Sequence, residues 1–135
     1  MINQNKIKTL LFLSLALLFG SCEKPEGEGG RATIKGSLWI DNYNSTFTFL
    51  EAEYAGADQD VYLVYGDHTG YDDKTTTDYK GEFEFRFLRK GDYTVYVYSK
   101  DNTMRSASGD TAFVRPVKIS NKKETVQLDR ITIYK

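Results

Sequence analysis

The chain has 135 residues, with 18 Lys and Arg against 19 Asp and Glu, one His, one Cys and ten Tyr. That length holds one ordinary domain. The balanced charge excludes a basic nucleic-acid footprint, the single Cys excludes an intrachain disulfide framework and a thiolate zinc site, and the single His excludes machinery that needs two.

Residues 1–9 carry Lys6 and Lys8 and no acid, and Leu10 to Phe19 then read LLFLSLALLF with Ser14 alone polar. A basic start, a short apolar run and the small residues Gly20 and Ser21 are the parts of a secretory signal peptide. Ten apolar residues span about 15 Å as a helix, roughly half a bilayer core, so the run is short for a membrane crossing. A buried core helix is the competing reading, but nothing amphipathic accompanies the run. The order Leu18-Phe19-Gly20-Ser21-Cys22 resembles the lipobox of bacterial lipoproteins, although Phe19 departs from the smaller or aliphatic residue usual there. The resemblance implies a signal peptide over 1–21 and a diacylglycerol on Cys22 as the first mature residue. It also implies a lipid-anchored place in the cell outer membrane, with the periplasmic or surface side left open. Several acyl chains on one residue anchor stably, whereas a single chain is marginal.

Removing residues 1–21 leaves 114 residues and takes the net charge from −1 to −3, since Lys6 and Lys8 are the only charges lost. A mildly acidic domain has no net-charge reason to lie on anionic lipid. Residues 22–31 read as a flexible linker, with Pro25, Gly27, Gly29 and Gly30 and nothing large and apolar to bury. Nine such residues reach on the order of 16 Å. The acids after Cys22 also resemble the surface-export signals of some Gram-negative lipoproteins, and a plain solvated linker accounts for them equally well.

From Ala32 to Lys135 the pattern has period two and reads as one all-β domain. Ala32, Ile34, Leu38 and Ile40 share one parity. Thr46–Tyr54 is β-rich with an ambiguous inner face. Val61, Leu63 and Tyr65 alternate with Tyr62 and Val64; Phe83, Phe85 and Phe87 alternate with Glu82, Glu84 and Arg86; Tyr93, Val95 and Val97 alternate with Thr94, Tyr96 and Tyr98. Val117 and Ile119 close a strand beginning near Ala112. Val126 and Leu128 are followed by Ile131 and Ile133, and the odd step between the pairs requires a bulge near Asp129. Asp78–Gly81 and Arg89–Asp92 place Gly where positive φ is needed, and Asn121-Lys122-Lys123 is a polar loop. Seven or eight short strands with turns this frequent predict a two-sheet sandwich.

The stretch Thr77-Asp78-Tyr79-Lys80-Gly81-Glu82-Phe83-Glu84-Phe85 resembles the T-D-x-x-G-x-F-x-F signature of carboxypeptidase regulatory-like domains, and Leu88-Arg89-Lys90-Gly91-Asp92-Tyr93-Thr94-Val95 resembles their L-x-x-G-x-Y-x-V. The resemblance covers residues 58–135 and, loosely, 32–38. It implies a transthyretin-like Greek-key β-sandwich and a non-catalytic accessory role. Residues 42–60 depart from it and look like an added strand or hairpin arm. A hydrolase branch of the transthyretin fold acts on 5-hydroxyisourate, but it needs several His and a C-terminal Tyr-Arg-Gly-Ser. This chain has only His68 and reads Ile131-Thr132-Ile133-Tyr134-Lys135, so that activity is not supported. Some pilus-type relatives carry a Lys–Asn crosslink. Lys35 and Glu84 supply two of its parts, but 125–134 contains no Asn.

Two features remain as candidate sites. Asp67, His68, Asp72 and Asp73 share a polar loop and could gather on a cation, or simply serve turn geometry. Their order does not match an EF-hand loop, so neither metal nor cofactor is expected. If Tyr93, Val95 and Val97 face the core, Tyr96 and Tyr98 face outward and Tyr62 can join them. Such a strip could stack on sugar rings or dock a partner. It could equally reflect the strand preference of Tyr, lie under Phe47 and Phe49, or have no role. The expectation is a non-catalytic binding or structural module of the envelope whose partner is an envelope protein. The alternative is a glycan-binding lipoprotein of an uptake system.

Overall fold

The computed structural model describes residues 23–135; the signal-peptide reading of 1–21 and the lipidation reading of Cys22 fall outside the described residues. The strands are β1 (Glu28–Tyr43), β2 (Leu50–Ala55), β3 (Asp60–Tyr65), β4 (Asp73–Thr76), β5 (Glu82–Leu88), β6 (Gly91–Lys100), β7 (Asp110–Ile119), β8 (Thr125–Gln127) and β9 (Ile131–Tyr134). In one sheet β1 pairs antiparallel with β2 and β5 and parallel with β8 and β9; the other runs β4-β3-β6-β7. The domain is all-β with two sheets. It has nine strands rather than seven or eight because Asp73–Thr76 pairs with β3 and the last segment divides in two.

β1 is the spine. Ala32, Ile34, Gly36, Leu38 and Ile40 are buried in alternation, and the main-chain groups divide on the same period. The Leu38 N–H donates to Gly81 O at 2.8 Å, and Leu38 O accepts from Gly56 N–H at 2.9 Å. The end of β2 and the start of β5 therefore meet on one edge. On the other edge Thr33 N–H donates to Glu124 O, Lys35 O accepts from Leu128 N–H, and Tyr43 N–H donates to Lys135 O. There Lys35 pairs with Gln127 and Leu38 with Ile131, so the C-terminal segment carries one extra residue between them. This is the irregularity expected near Asp129. It keeps Ile131 and Ile133 in the core, with Val126 and Leu128 packed against it.

Phe87 corrects the alternation read for β5. Phe83 and Phe85 are buried, but Phe87 is 67% exposed with φ of 59°, and Leu88 takes the buried place. Ala32 pairs with Leu88 and Ile34 with Phe85, so two steps on β1 face three on β5. One inserted residue exchanges the faces of everything after it. β2 is a second departure. Only Leu50–Ala55 forms strand, and its middle four residues are exposed on both faces.

Within the stretch read as a linker, β1 begins at Glu28, and residues 25–28 are fastened to the β5–β6 turn. Arg89 Nε donates to Pro25 O at 2.6 Å, and its guanidinium also donates to Glu28 O. The Arg89 N–H donates to Gly27 O at 2.9 Å. The Tyr93 hydroxyl accepts from Gly27 N–H at 2.9 Å and donates to Arg89 O at 2.7 Å. Composition reads Gly and Pro as slack; here the carbonyls of Pro25 and Glu28 are bound by one guanidinium and that of Gly27 by the same residue's main-chain N–H.

The Thr-Asp-x-x-Gly stretch works as its chemistry suggests. Buried Thr77 donates from Oγ1 to Gly56 O and accepts from Gln59 N–H at 2.9 Å, tying two loops together. Asp78 Oδ1 accepts from the N–H groups of Lys80 and Glu82, both at 2.9 Å. Gly81, with φ of 78°, brings its carbonyl to Leu38; a Cβ there would strike Leu38 O and come within 2.9 Å of Gly56 N.

At the opposite end from the Arg89 turn, Asp101 gathers its own loop. Its Oδ1 accepts from Thr103 Oγ1 at 2.6 Å and Thr103 N–H at 2.9 Å, and its Oδ2 accepts from Arg105 N–H at 2.9 Å and Ser106 N–H at 2.7 Å. The Thr103 hydroxyl first, and then these backbone donors, hold the carboxyl down to about 2.

Among the described residues the core lies between Ala32 and Ile133, and the nine strands form two sheets around it, which is the make-up of a domain able to fold alone. Two stability predictions follow from the junctions described. Gly81→Ala combines a left-handed φ with a main-chain collision, and should lower the unfolding free energy of residues 23–135 by about 2 kcal/mol or more in urea titration; an unchanged midpoint would refute the junction. For Asp101 the folded value lies below the ordinary 3.8, so its contribution is present above that value and is lost as pH falls toward about 2. Asp101→Asn should therefore show a shallower loss of stability over that interval than the parent chain, read by denaturant midpoints at each pH.

Candidate functional site

The outer face of the second sheet carries a cluster of four tyrosines. In β3 and β6 the buried residues are Val61, Leu63, Tyr93, Val95, Val97 and Ser99, which sends Tyr62, Tyr96 and Tyr98 to the opposite face. Tyr62 lies directly across from Tyr96 in the ladder. Their rings stack at 4.9 Å and 12°. Tyr98 meets both edge-on, at 5.7 Å from each. This edge-to-face geometry suits the ring quadrupoles.

Tyr71 completes the cluster, 5.0 Å from Tyr62, and the period-two pattern gave no signal for it. It belongs to the loop between β3 and β4, which folds back because Asp72 N–H donates to Leu63 O at 2.8 Å and Asp72 Oδ2 accepts from Tyr65 N–H at 2.7 Å. Tyr71 and Tyr98 are 55% and 57% exposed. Each lies close to Tyr62, so their rings are no more than about 11 Å apart.

The patch continues over β7, where Val114 pairs with Tyr96 and Ala112 with Tyr98, and Val114 is half exposed. Two ion pairs border it, Lys74 with Asp60 at 3.2 Å and Lys100 with Asp110 at 2.9 Å. Burial first, and then the neighbouring phenols, raise the Tyr96 hydroxyl above its ordinary value. Phe47 and Phe49 do not cover the strip. Phe47 packs 5.9 Å from Tyr43, next to the β1–β2 hairpin of the other sheet, and Phe49 is 67% exposed.

The polar loop is organised around turn geometry. His68 Nδ1 lies 2.8 Å from Asp72 Oδ1, and Asp73 Oδ1 accepts from Lys74 N–H at 2.7 Å. The Asp72 hydrogen bond raises the His68 pKa, although the ring is well exposed. Asp67 joins none of these contacts among the described residues. No group of three or more His, Cys, Asp or Glu able to hold a metal occurs among the described residues. Lys35 and Glu84 face each other across strands as an exposed ion pair at 3.5 Å.

No protein-family model matches the chain, and no curated protein matches it. Two solved structures are distantly similar. A carbohydrate-binding candidate from Pseudomonas aeruginosa is 14% identical, with a TM-score of 0.44, over 81% of this chain and 91% of that one. A 9R-lipoxygenase from Cyanothece is 16% identical, with a TM-score of 0.38, over 96% of this chain and 23% of that one.

Proposed function

We propose that this protein is a non-catalytic binding module that holds glycans on the outer face of β3, β6 and β7. The observation that carries the reading is the tyrosine cluster, with Tyr71 and Tyr98 each more than half exposed. The C–H faces of a pyranose are weakly positive and pack on the negative face of an aromatic ring. Tyr62 and Tyr96 occupy each other's inner faces, so they act as the rigid base between two available rings. Asp60 and Lys74 at the border can exchange hydrogen bonds with ring hydroxyls.

A second reading, docking of an envelope protein, is favoured by Val114 and Ala112, which extend the patch as an apolar strip with no sugar-like polarity. The lipobox-like sequence supports delivery to the outer membrane as a lipoprotein anchored at Cys22. The Thr77–Gly81 turn supports a transthyretin-like classification of the sandwich.

Calorimetric titration with soluble glucans, mannan and xylan should reveal a ligand, with affinity lowered at least tenfold in Tyr71→Ala and in Tyr98→Ala. Calorimetry is the better probe, because the single tryptophan, Trp39, stacks on Arg130 and belongs to the other sheet. If no glycan binds, while tagged protein captures one envelope protein in a manner lost in Tyr98→Ala, the docking reading replaces the first. For the anchor, Cys22→Ser in the full chain should release the protein from membranes into the soluble fraction; retention through a carbonate wash would refute acylation at that residue.

A further inference from the structure

The first described residues run along the rim of a groove of about 970 Å³, at the end of the sandwich where β1 begins. Six cations line it: Lys24, Arg31, Arg89, Lys90, Lys118 and Lys122. They outnumber the three acids of the lining, Glu23, Glu26 and Asp92, in a chain whose net charge is −1. Arg89 is committed to backbone carbonyls, and Lys90 pairs with Glu23 at 2.8 Å. Glu26 accepts from Asp92 N–H at 3.2 Å. Among the described residues Lys24, Arg31, Lys118 and Lys122 form no ion pair. Net charge therefore conceals a segregated surface.

We propose that this end of the domain docks on anionic phospholipid, with these four side chains contacting headgroup phosphates. Charge complementarity is the first argument. Lysine serves as a point charge for phosphate, and Arg31 adds a planar fork. The second is the path of the chain. It enters the described structure at Glu23 on this rim, and the apolar run Leu10–Phe19 lies in the residues just before. The third is Phe87, at the same end of β5 and 67% exposed, which offers an apolar contact beside the cations. Because Arg89 and Tyr93 clamp residues 25–28, the groove keeps a fixed attitude to whatever precedes it. The tyrosine cluster lies on the outer face of the second sheet, although Tyr71 comes from the β3–β4 loop, whose Gly66 N–H donates to Asp92 O at this end. The proposal is independent both of the glycan reading and of acylation at Cys22.

The test uses residues 23–135, which carry no acyl group, sedimented with phosphatidylcholine vesicles with and without phosphatidylglycerol. Binding is expected only with phosphatidylglycerol and should fade as salt rises. At roughly fivefold per lysine, Lys118→Gln with Lys122→Gln should weaken it on the order of twentyfold. Lys80→Gln with Arg105→Gln removes the same charge from the opposite end and should leave binding unchanged. Equal weakening by both double variants, equal binding to neutral vesicles, or no binding to either would overturn the proposal. So would binding of inorganic phosphate without any partition onto vesicles.

Discussion

The fold depends on the main chain of Leu38. Its N–H and C=O point to the same edge of β1 and are satisfied by two different segments, the turn before β5 and the residue after β2. A buried backbone pair left unmade would carry the full desolvation cost of each group. That single residue is why Gly56 and Gly81 converge, why Thr77 ties the adjoining loops, and why a strand of sixteen residues can be covered by shorter ones. It also fixes the level at which the two sheets face each other, since Leu38 itself is buried in the core between Ile34 and Ile40.

Much of this was legible in the residues. Alternation at Ala32–Ile40, Val61–Leu63 and Tyr93–Val97 identified the inner faces because period two is a local property of a pleated strand. The odd step from Leu128 to Ile131 was legible for the same reason, since two buried pairs out of phase demand an extra residue. Phe87 was not legible. Its neighbours alternate perfectly, and only the pairing with Ala32 and Ile34 shows that Leu88 takes the inward place. The clamp on residues 25–28 escaped because it is made by Arg89 and Tyr93, more than sixty positions away. Tyr71 escaped because a loop has no period, and what positions it is a carboxylate, Asp72, folding the loop back.

The two proposed surfaces divide along the architecture. The tyrosine face grows out of a regular antiparallel ladder, where cross-strand neighbours stand in fixed register and aromatic rings support one another. The cationic groove grows out of chain ends and turns, where strands finish and long side chains fan out. A rigid face suits recognition by shape, while a fringe of flexible lysines suits a ligand whose charges are spread and mobile. A −1 total hides only the second of them.

The parallel pairing at the far edge of β1 has a kinetic consequence. Leu38 meets Ile131 and Thr33 meets Thr125, partners more than ninety positions apart. No hairpin can bring such partners together, so the loop-closure entropy falls due before the contacts that reward it. Until β8 and β9 arrive, one side of the central strand is an open template of unpaired amides. The last strands of the chain are therefore the ones that close this edge.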